Sequence, residues 1–310
     1  MVYALGVDIG GTKIAAALIC ENGSVLFRNE LPSVTEDKEG MFRQVVRSID
    51  QVLKTSGESV HKLMGIGLGV PGKINQEQGV AVLQNNLPWR NFPIVERVKG
   101  YYSIDNVVLD NDVYMAAFGE WSQYGKEKNE TFVYLTISTG ISCSIIHKGE
   151  FLRGAGFAGE LGLSVVTDEG LQGNYQNNGC LEAVASGVAI KNRMIEKLKD
   201  AGKSAESMST KKVIEDYWSN DPYAVEVMNG VIRNLSRGVQ SIICLLDPHK
   251  VVLGGGVISH NPGLMDPIKE ELQTLLIPEQ MDALDRLYLS QLKGDVGLIG
   301  AGYRVFDEVN

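Results

Sequence analysis

Two groups of residues in this chain have the types and spacing that chemistry needs. In "VVLDNDVYMAAFGEW" an apolar run ends at Leu109, and Asp110, Asn111 and Asp112 follow before a helical pattern carrying Met115, Ala116 and Phe118. A carboxylate at the C-terminal end of a buried strand is where a general base would sit in an α/β protein, with Asn111 beside it to orient a hydroxyl. The same residues suit helix capping, which is the commoner role of Asn and Asp at that place. The second group is a set of small-residue turns. "DIGGTK" sets Gly10, Gly11, Thr12 and Lys13 behind a strand ending at Asp8, and "TISTGIS" sets Thr139 and Gly140 behind another.

Such turns expose backbone N–H groups with no Cβ in the way, and concave amide arrays of this kind bind phosphate oxygens. Either turn alone reads as an ordinary hairpin; the matched pair suggests a polyphosphate held from two sides. Neither fits the P-loop spacing GxxxxGK followed by Ser or Thr, nor the GxGxxG of dinucleotide binders. Lys13 either supports the first loop or is a solvated surface lysine. A carboxylate beside phosphates is repulsive unless a cation intervenes, so Asp8 points to Mg2+ held largely through water. Gly254, Gly255 and Gly256 in "VVLGGGV" would let a flat purine ring approach the backbone, or would simply turn a strand into a helix.

Those residues need elements to hold them. "YALGVDIGG" and "KIAAALI" read as a hairpin, "GSVLFRNEL" as a third strand, and "LMGIGLGV" and "NVVLDND" as buried strands. Met41, Phe42, Val45, Val46, Ile49, Val52 and Leu53 share one face of a helix. The second half reads as richer in helix: "LEAVASGVAIKNRMIEKLKDAG", "AVEVMNGVIRNLSRGVQSIICLLD" and "PGLMDPIKEELQTLL", with a short buried strand "KVVLGGGV" between the last two. An internal echo organises the chain. "DIGGTKIAAALICENGSVLFR" aligns with "TISTGISCSIIHKGEFLR", Ile9 meeting Ile137 and Leu18-Ile19 meeting Ile145-Ile146, about 128 residues apart. One strand–turn–strand motif per half implies two similar α/β halves with a cleft between them.

The bulk numbers exclude several classes. A chain of 310 residues has room for two domains, and 44% hydrophobic with 22% charged residues is ordinary for a soluble globular protein. A net charge of −9 argues against a nucleic-acid partner. No run of 18 apolar residues predicts a membrane span. The N-terminal "MVYALGVDIGG" lacks a basic start and carries Asp8, so it reads as a strand and not as a leader. Cys20, Cys143, Cys180 and Cys244 lie far apart with no CxxC pair, which suits reduced thiols in a cytoplasmic protein.

"DIGGTK", "VPGKINQEQGV", "NNLPW", "DNDVYMAAFGE", "GELG", "GCLEAVASGVAI", "VVLGGGV" and "GLIGAG" follow one another in an order that resembles the ROK family of sugar kinases and sugar-responsive repressors. The resemblance runs from Val7 to about Tyr303. It implies the two-domain actin-like, hexokinase-like (ribonuclease H-like) α/β fold, in which a sugar and Mg·ATP meet in the cleft. Domains are expected at 1–118 and 119–297, with a helix in 298–310 returning to the first. Carried over by motif, Asp112 would be the base that takes the proton from the sugar hydroxyl. Asn86, Asn111, Glu160 and Glu182 would hold the other hydroxyls. Gly10, Gly11, Thr12, Thr139 and Gly140 would line the phosphates, with Asp8 and Lys13 nearby, and Gly254 to Gly256 would lie against the nucleoside. The expected protein is a cytoplasmic homodimer that uses ATP and Mg2+, binds a small sugar and engages neither nucleic acid nor membrane.

The chain departs from the family pattern in two places. The family's zinc ligands are the His of ExGH and three Cys of CxCGxxGCxE; here Leu163, Gly173 and Tyr175 stand at three of those positions, leaving Cys180 alone. One thiolate cannot hold a structural zinc, so none is expected. Leu163 also removes a polar contact that the family's His makes to the sugar, and Tyr175 could stack on a ring. In the second turn Ser142 and Ser144 replace the usual glycines and would reshape the phosphate pocket. The leading expectation is a glucokinase-like hexose kinase. The alternatives are a kinase of N-acetylmannosamine, a β-glucoside or fructose, or a non-catalytic sugar sensor. The repressor branch carries a helix-turn-helix ahead of "DIGGT", whereas this acidic chain starts at that strand, so DNA binding is not expected. A Rossmann oxidoreductase is disfavoured by the missing GxGxxG.

Overall fold

A buried hairpin opens each of two units in this computed structural model, which describes residues 2–84, 86–168 and 179–307. The first unit is Met1–Lys126 with Gly294–Asn310, and the second is Glu127–Lys293. These divisions stand beside expected boundaries at 118 and 297. The helix that follows Asn111 continues to Gln123, and its C-cap Tyr124 donates to the carbonyls of Glu120 and Trp121, which keeps residues 119–126 with the first unit.

In the first unit β1 (Tyr3–Ile9) pairs antiparallel with β2 (Lys13–Cys20), and β2 with β3 (Val25–Pro32). After helix α1 (Lys38–Ser56), β4 (Ile66–Val70) pairs parallel with β1. A small meander of β5 (Lys73–Asn75), β6 (Val80–Leu83) and β7 (Arg90–Phe92) follows, then helix α2 (Ile94–Tyr102). Strand β8 (Val107–Asn111) pairs parallel with β4 and runs into helix α3 (Asp112–Gln123). Among the described residues the main sheet has the order β3-β2-β1-β4-β8. Helix α1 forms where the sequence predicts it. Asp37 caps it by accepting from the N–H groups of Glu39 and Gly40, and Gly57 ends it at φ 71°. Its apolar face, Met41, Val45, Ile49 and Val52, packs with Leu5, Val7, Ile9, Ile14 and Leu18 of the sheet. Burying each such side chain stabilises by about 1.5–3 kcal/mol.

The second unit repeats that plan. Strands β9 (Thr131–Ile137), β10 (Ile141–His147) and β11 (Glu150–Phe151) are antiparallel neighbours. Four helices follow: α4 (Leu181–Ala185), α5 (Gly187–Asp200), α6 (Thr210–Trp218) and α7 (Pro222–Leu246). Strand β12 (Lys250–Gly254) then pairs parallel with β9, and after α8 (Gly255–Ser259) and α9 (Met265–Gln273) β13 (Leu287–Leu289) pairs parallel with β12. The sheet order is β11-β10-β9-β12-β13, the same arrangement as in the first unit. One core joins Val133, Leu135 and Ile137 to the helices through Leu181, Ile190, Val231, Leu235 and Ile242.

The sequence reads residues 181–202 as one helix, and the structure breaks it. Ser186 is extended (φ −70°, ψ 167°), its hydroxyl caps α5 at Ala189 N–H, and Gly187 N–H leaves the helix to donate to Ser138 O at 2.8 Å. Sequence reasoning also passed over α2, α6 and the meander β5–β7.

The chain closes with helix α10 (Val296–Asp307) in the first unit. "GLIGAG" is explained here. A Cβ on Gly300 would lie 1.7 Å from Met115 O, and Cβ atoms on Gly6 and Gly67 would lie 2.0 Å from Leu298 O and Ala301 O. The helix therefore touches β1, β4 and α3 backbone to backbone, and glycine is required on both sides of that contact.

Candidate functional site

In the first unit the β1–β2 turn is fixed by its carbonyls. Gly10 N–H donates to Lys13 O at 2.9 Å, while Ser33 donates from its N–H to Thr12 O at 3.0 Å and from its hydroxyl to Gly10 O at 2.6 Å. Among the described residues the N–H groups of Gly11 and Thr12 find no acceptor, so they are available to an anion. A Cβ on Gly11 would come 2.7 Å from the Cβ of Asn86, which seats an expected sugar ligand directly against an expected phosphate residue. Asn86 is exposed. The loop carrying it is anchored by buried Trp89, whose Nε1 donates to Lys38 O and whose ring stacks on Phe92 at 4.8 Å.

The Asp8 carboxyl packs on Gly297 at the start of α10, where an added Cβ would lie 3.0 Å from Oδ2. Burial raises its pKa above the ordinary carboxylate value, against the charges of Lys13 and Arg28 and with that of Glu30. Lys13 itself is paired with Glu30 at 2.9 Å on the surface, and that bond holds Glu30 below its ordinary pKa.

Strand β8 delivers the Asp-Asn-Asp run. Asp110 is fully buried; its carboxylate accepts from Asn111 N–H at 2.8 Å and from Gln76 Nε2 at 3.4 Å. Asn111 is the N-cap of α3, with Oδ1 accepting from Val113 N–H at 2.9 Å and Nδ2 donating to Gly72 O at 3.1 Å. Its amide keeps a second lone pair and a second hydrogen for a ligand. Asp112 is the first helical residue, and its Oδ1 shares the Val113 N–H at 3.0 Å. Capping, left open between these residues by the sequence, falls to Asn111, while Asp112 sets a carboxylate at the positive end of the helix.

In the second unit the β9–β10 turn has a different backing. Ser138 N–H donates to Gly140 O at 2.9 Å, and Ser138 O accepts from Gly187 N–H. Among the described residues the N–H groups of Thr139 and Gly140 find no acceptor, as in the first turn. Beneath it lies Glu182, on the first turn of α4: its Oε2 accepts from Ile141 N–H at 2.8 Å, and a Cβ on Gly140 would approach Oε2 to 2.4 Å. Glu160 is near enough for the two charges to interact. Desolvation, then the Glu182 charge, raises the Glu160 pKa. Burial, then Glu160, pushes the Cys143 thiol up to about 12, which keeps it protonated and inert at neutral pH.

"GELG" is clamped to β10 through Gly159 and Gly162, which the sequence analysis does not single out. A Cβ on Gly159 would lie 1.9 Å from Cys143 O, and one on Gly162 would lie 2.1 Å from Ile141 O. The Gly-x-x-Gly spacing was the available signal. Ser142 turns its hydroxyl to Gly159 O at 3.3 Å, and Ser144 is fully buried with its hydroxyl unpaired among the described residues. Leu163 is half-buried in the turn after Glu160. Cys180 is buried and bridges to Val165, while Gly173 and the stacking expected of Tyr175 lie outside the described residues. Among the described residues no three His, Cys, Asp or Glu side chains group as metal ligands.

Of the three glycines after β12, two serve the protein itself. A Cβ on Gly254 would meet Tyr134 Oη at 2.5 Å, and Gly255 (φ 79°) would meet Ile137 O at 2.4 Å. Among the described residues a Cβ on Gly256 would meet nothing nearer than His260 at 3.7 Å, so it is the glycine whose open face a ligand could use. No described helix is long and apolar enough to cross a membrane.

The profile of the family described as "ROK family" matches residues 4–307. The chain is 29% identical to a glucokinase of Halalkalibacterium halodurans over 99% of its own length and 96% of the relative's. It is also 26% identical to a xylose repressor of Caldicellulosiruptor bescii, covering 96% of this chain and 76% of the repressor. Among solved structures, a ROK family glucokinase from Streptomyces griseus in complex with glucose and AMPPNP superposes with a TM-score of 0.81 at 26% identity, covering 96% of this chain and 97% of that one.

Proposed function

The chain belongs to the ROK family and has its two-domain actin-like, hexokinase-like fold, and we propose that it is an ATP-dependent kinase that phosphorylates a hydroxyl of a glucose-type hexose. One observation carries this reading: two hairpin turns, at equivalent places in two sheets of one strand order, each hold two N–H groups that find no acceptor among the described residues. Paired amide cradles suit a polyphosphate, which a phosphoryl-transfer reaction requires.

The residues fit the groups the reading requires. The amides of Gly11, Thr12, Thr139 and Gly140 match phosphate oxygens, and the open face of Gly256 suits a nucleoside. The Asp8 carboxyl, destabilised as an anion by burial, would be relieved by a divalent cation such as Mg2+. When bound, Mg·ATP supplies the phosphoryl group and neutralises its developing charge. Asp112 takes the proton from the attacking sugar hydroxyl at its carboxylate. Asn86, Asn111, Glu160 and Glu182 hold further hydroxyls, and Asn111 also keeps Asp112 in place by capping the helix in its stead. Leu163 offers a sugar hydroxyl no hydrogen bond, and an unpartnered hydroxyl costs about 1–3 kcal/mol.

The test is ADP release measured over glucose, N-acetylmannosamine, fructose and a β-glucoside, with Mg·ATP, for the wild type and Leu163→His. Glucose should be turned over, with a KM that falls in the variant. No sugar-dependent ADP with any of the four would reject the kinase reading.

A further inference from the structure

Glu182 does two things at once. Its Oε2 is committed to the N–H of Ile141, directly under Gly140, while among the described residues its Oε1 accepts no hydrogen bond. The helix that carries it is short and pinned at both ends: Leu181 N–H donates to Ser164 O at 2.9 Å, and just beyond its end Gly187 N–H donates to Ser138 O at 2.8 Å. A Cβ on Gly187 would lie 2.7 Å from that same Ser138 O, so the strap is tight. The turn 138–141 is thus held at its first residue by Gly187 and at its last by Glu182. Its two unengaged amides, Thr139 and Gly140, lie between those ties.

Resting on the kinase reading above, we propose that Glu182 is a positioning residue through which sugar occupancy sets the phosphate turn. A sugar hydroxyl that donates to Oε1 restrains the carboxylate, whose other oxygen then holds Ile141 N–H in a fixed place. The amides of Thr139 and Gly140 are ordered before the nucleotide arrives, so the nucleotide loses less freedom on binding. The hydroxyl also lies against the repulsion between Glu160 and Glu182, which favours a filled seat over an empty one. By linkage the effect is reciprocal, and nucleotide tightens sugar by the same factor.

The experiment is calorimetric titration of Mg·AMPPNP into the full chain, without sugar and with saturating glucose. Glucose should tighten AMPPNP about fivefold or more in the wild type. Glu182→Ala should bring that ratio to one even when glucose is raised to saturation, and Glu182→Gln, which keeps an acceptor for Ile141 N–H, should restore most of it. Gly140→Ala supplies an independent arm, because its methyl must displace Oε2: it should weaken glucose binding several-fold with no nucleotide present. A Glu182→Ala protein that keeps the wild-type ratio, or a folded Gly140→Ala protein with unchanged glucose affinity, overturns the proposal. Wild-type protein that binds both ligands without coupling overturns it while sparing the kinase reading. Wild-type protein that binds neither sinks both.

Discussion

The turns Gly10–Thr12 and Ser138–Gly140 close the same kind of hairpin at the same place in two sheets of one strand order, yet they rest on different supports. The first is locked by a serine hydroxyl and backed by the neutral side chain of Asn86. The second is strapped to a helix junction and backed by the carboxylate of Glu182. The uncharged amide behind the first turn adds no repulsion of its own to an arriving phosphate. A turn backed by a carboxylate receives it more readily once that charge is occupied. Duplicated topology has kept the turn while the side chains beneath it differ.

The largest effect should come from Asp112, the side chain proposed as the base. Asp112→Asn should lower kcat by about 10²- to 10⁴-fold and lower the melting temperature only slightly, because Asn111 carries the helix cap and the lost charge at the helix start is worth about 0.3–1 kcal/mol. Asn111→Ala should instead cost about 1 kcal/mol of stability. If Asp112→Asn unfolds the protein and Asn111→Ala does not, the two roles are assigned the wrong way round. One glycine from each unit should differ sharply in its tolerance of a methyl group. Gly67→Ala drives a Cβ into the carbonyl of Ala301 and should cost about 1–3 kcal/mol in denaturant titrations. Gly256→Ala should stay within about 0.5 kcal/mol and act on the nucleotide KM.

A smaller effect is expected at Glu160. Its pKa is raised in the folded protein, so the folded state holds this proton more firmly than the unfolded chain does. The ionised side chain therefore lowers stability at pH values above the folded pKa. Glu160→Gln should raise the melting temperature modestly at pH 7, and the gain should vanish as pH falls below the ordinary value of 4.5, where both states are protonated. A gain that is constant across that range would show that charge is not its cause.

Much of the scaffold was legible because it is local. The apolar runs "YALGVDIGG" and "KIAAALI" and the shared face of α1 are each set by residues close together in the chain. The site was legible only as far as residue type. That Asn111 rather than Asp112 caps α3 depends on side-chain geometry that the sequence leaves open. Gly254 and Gly255 read equally as a nucleoside surface or as a turn, because Tyr134 and Ile137, whose closeness requires glycine there, are distant in the chain. Glu182 was read as a sugar ligand by motif, and its bond to Ile141 spans 41 residues. The break at Ser186 was hidden for the same reason, since the acceptor that draws Gly187 out of the helix is Ser138.

The central claim, that the two turns are a matched pair of phosphate cradles, is tested most directly by following backbone amide resonances in protein labelled with 15N-glycine and 15N-threonine. On addition of Mg·AMPPNP the signals of Gly11, Thr12, Thr139 and Gly140 should all move, and adenosine alone should leave them nearly in place. Movement confined to one turn, or equal movement with adenosine, would contradict the account.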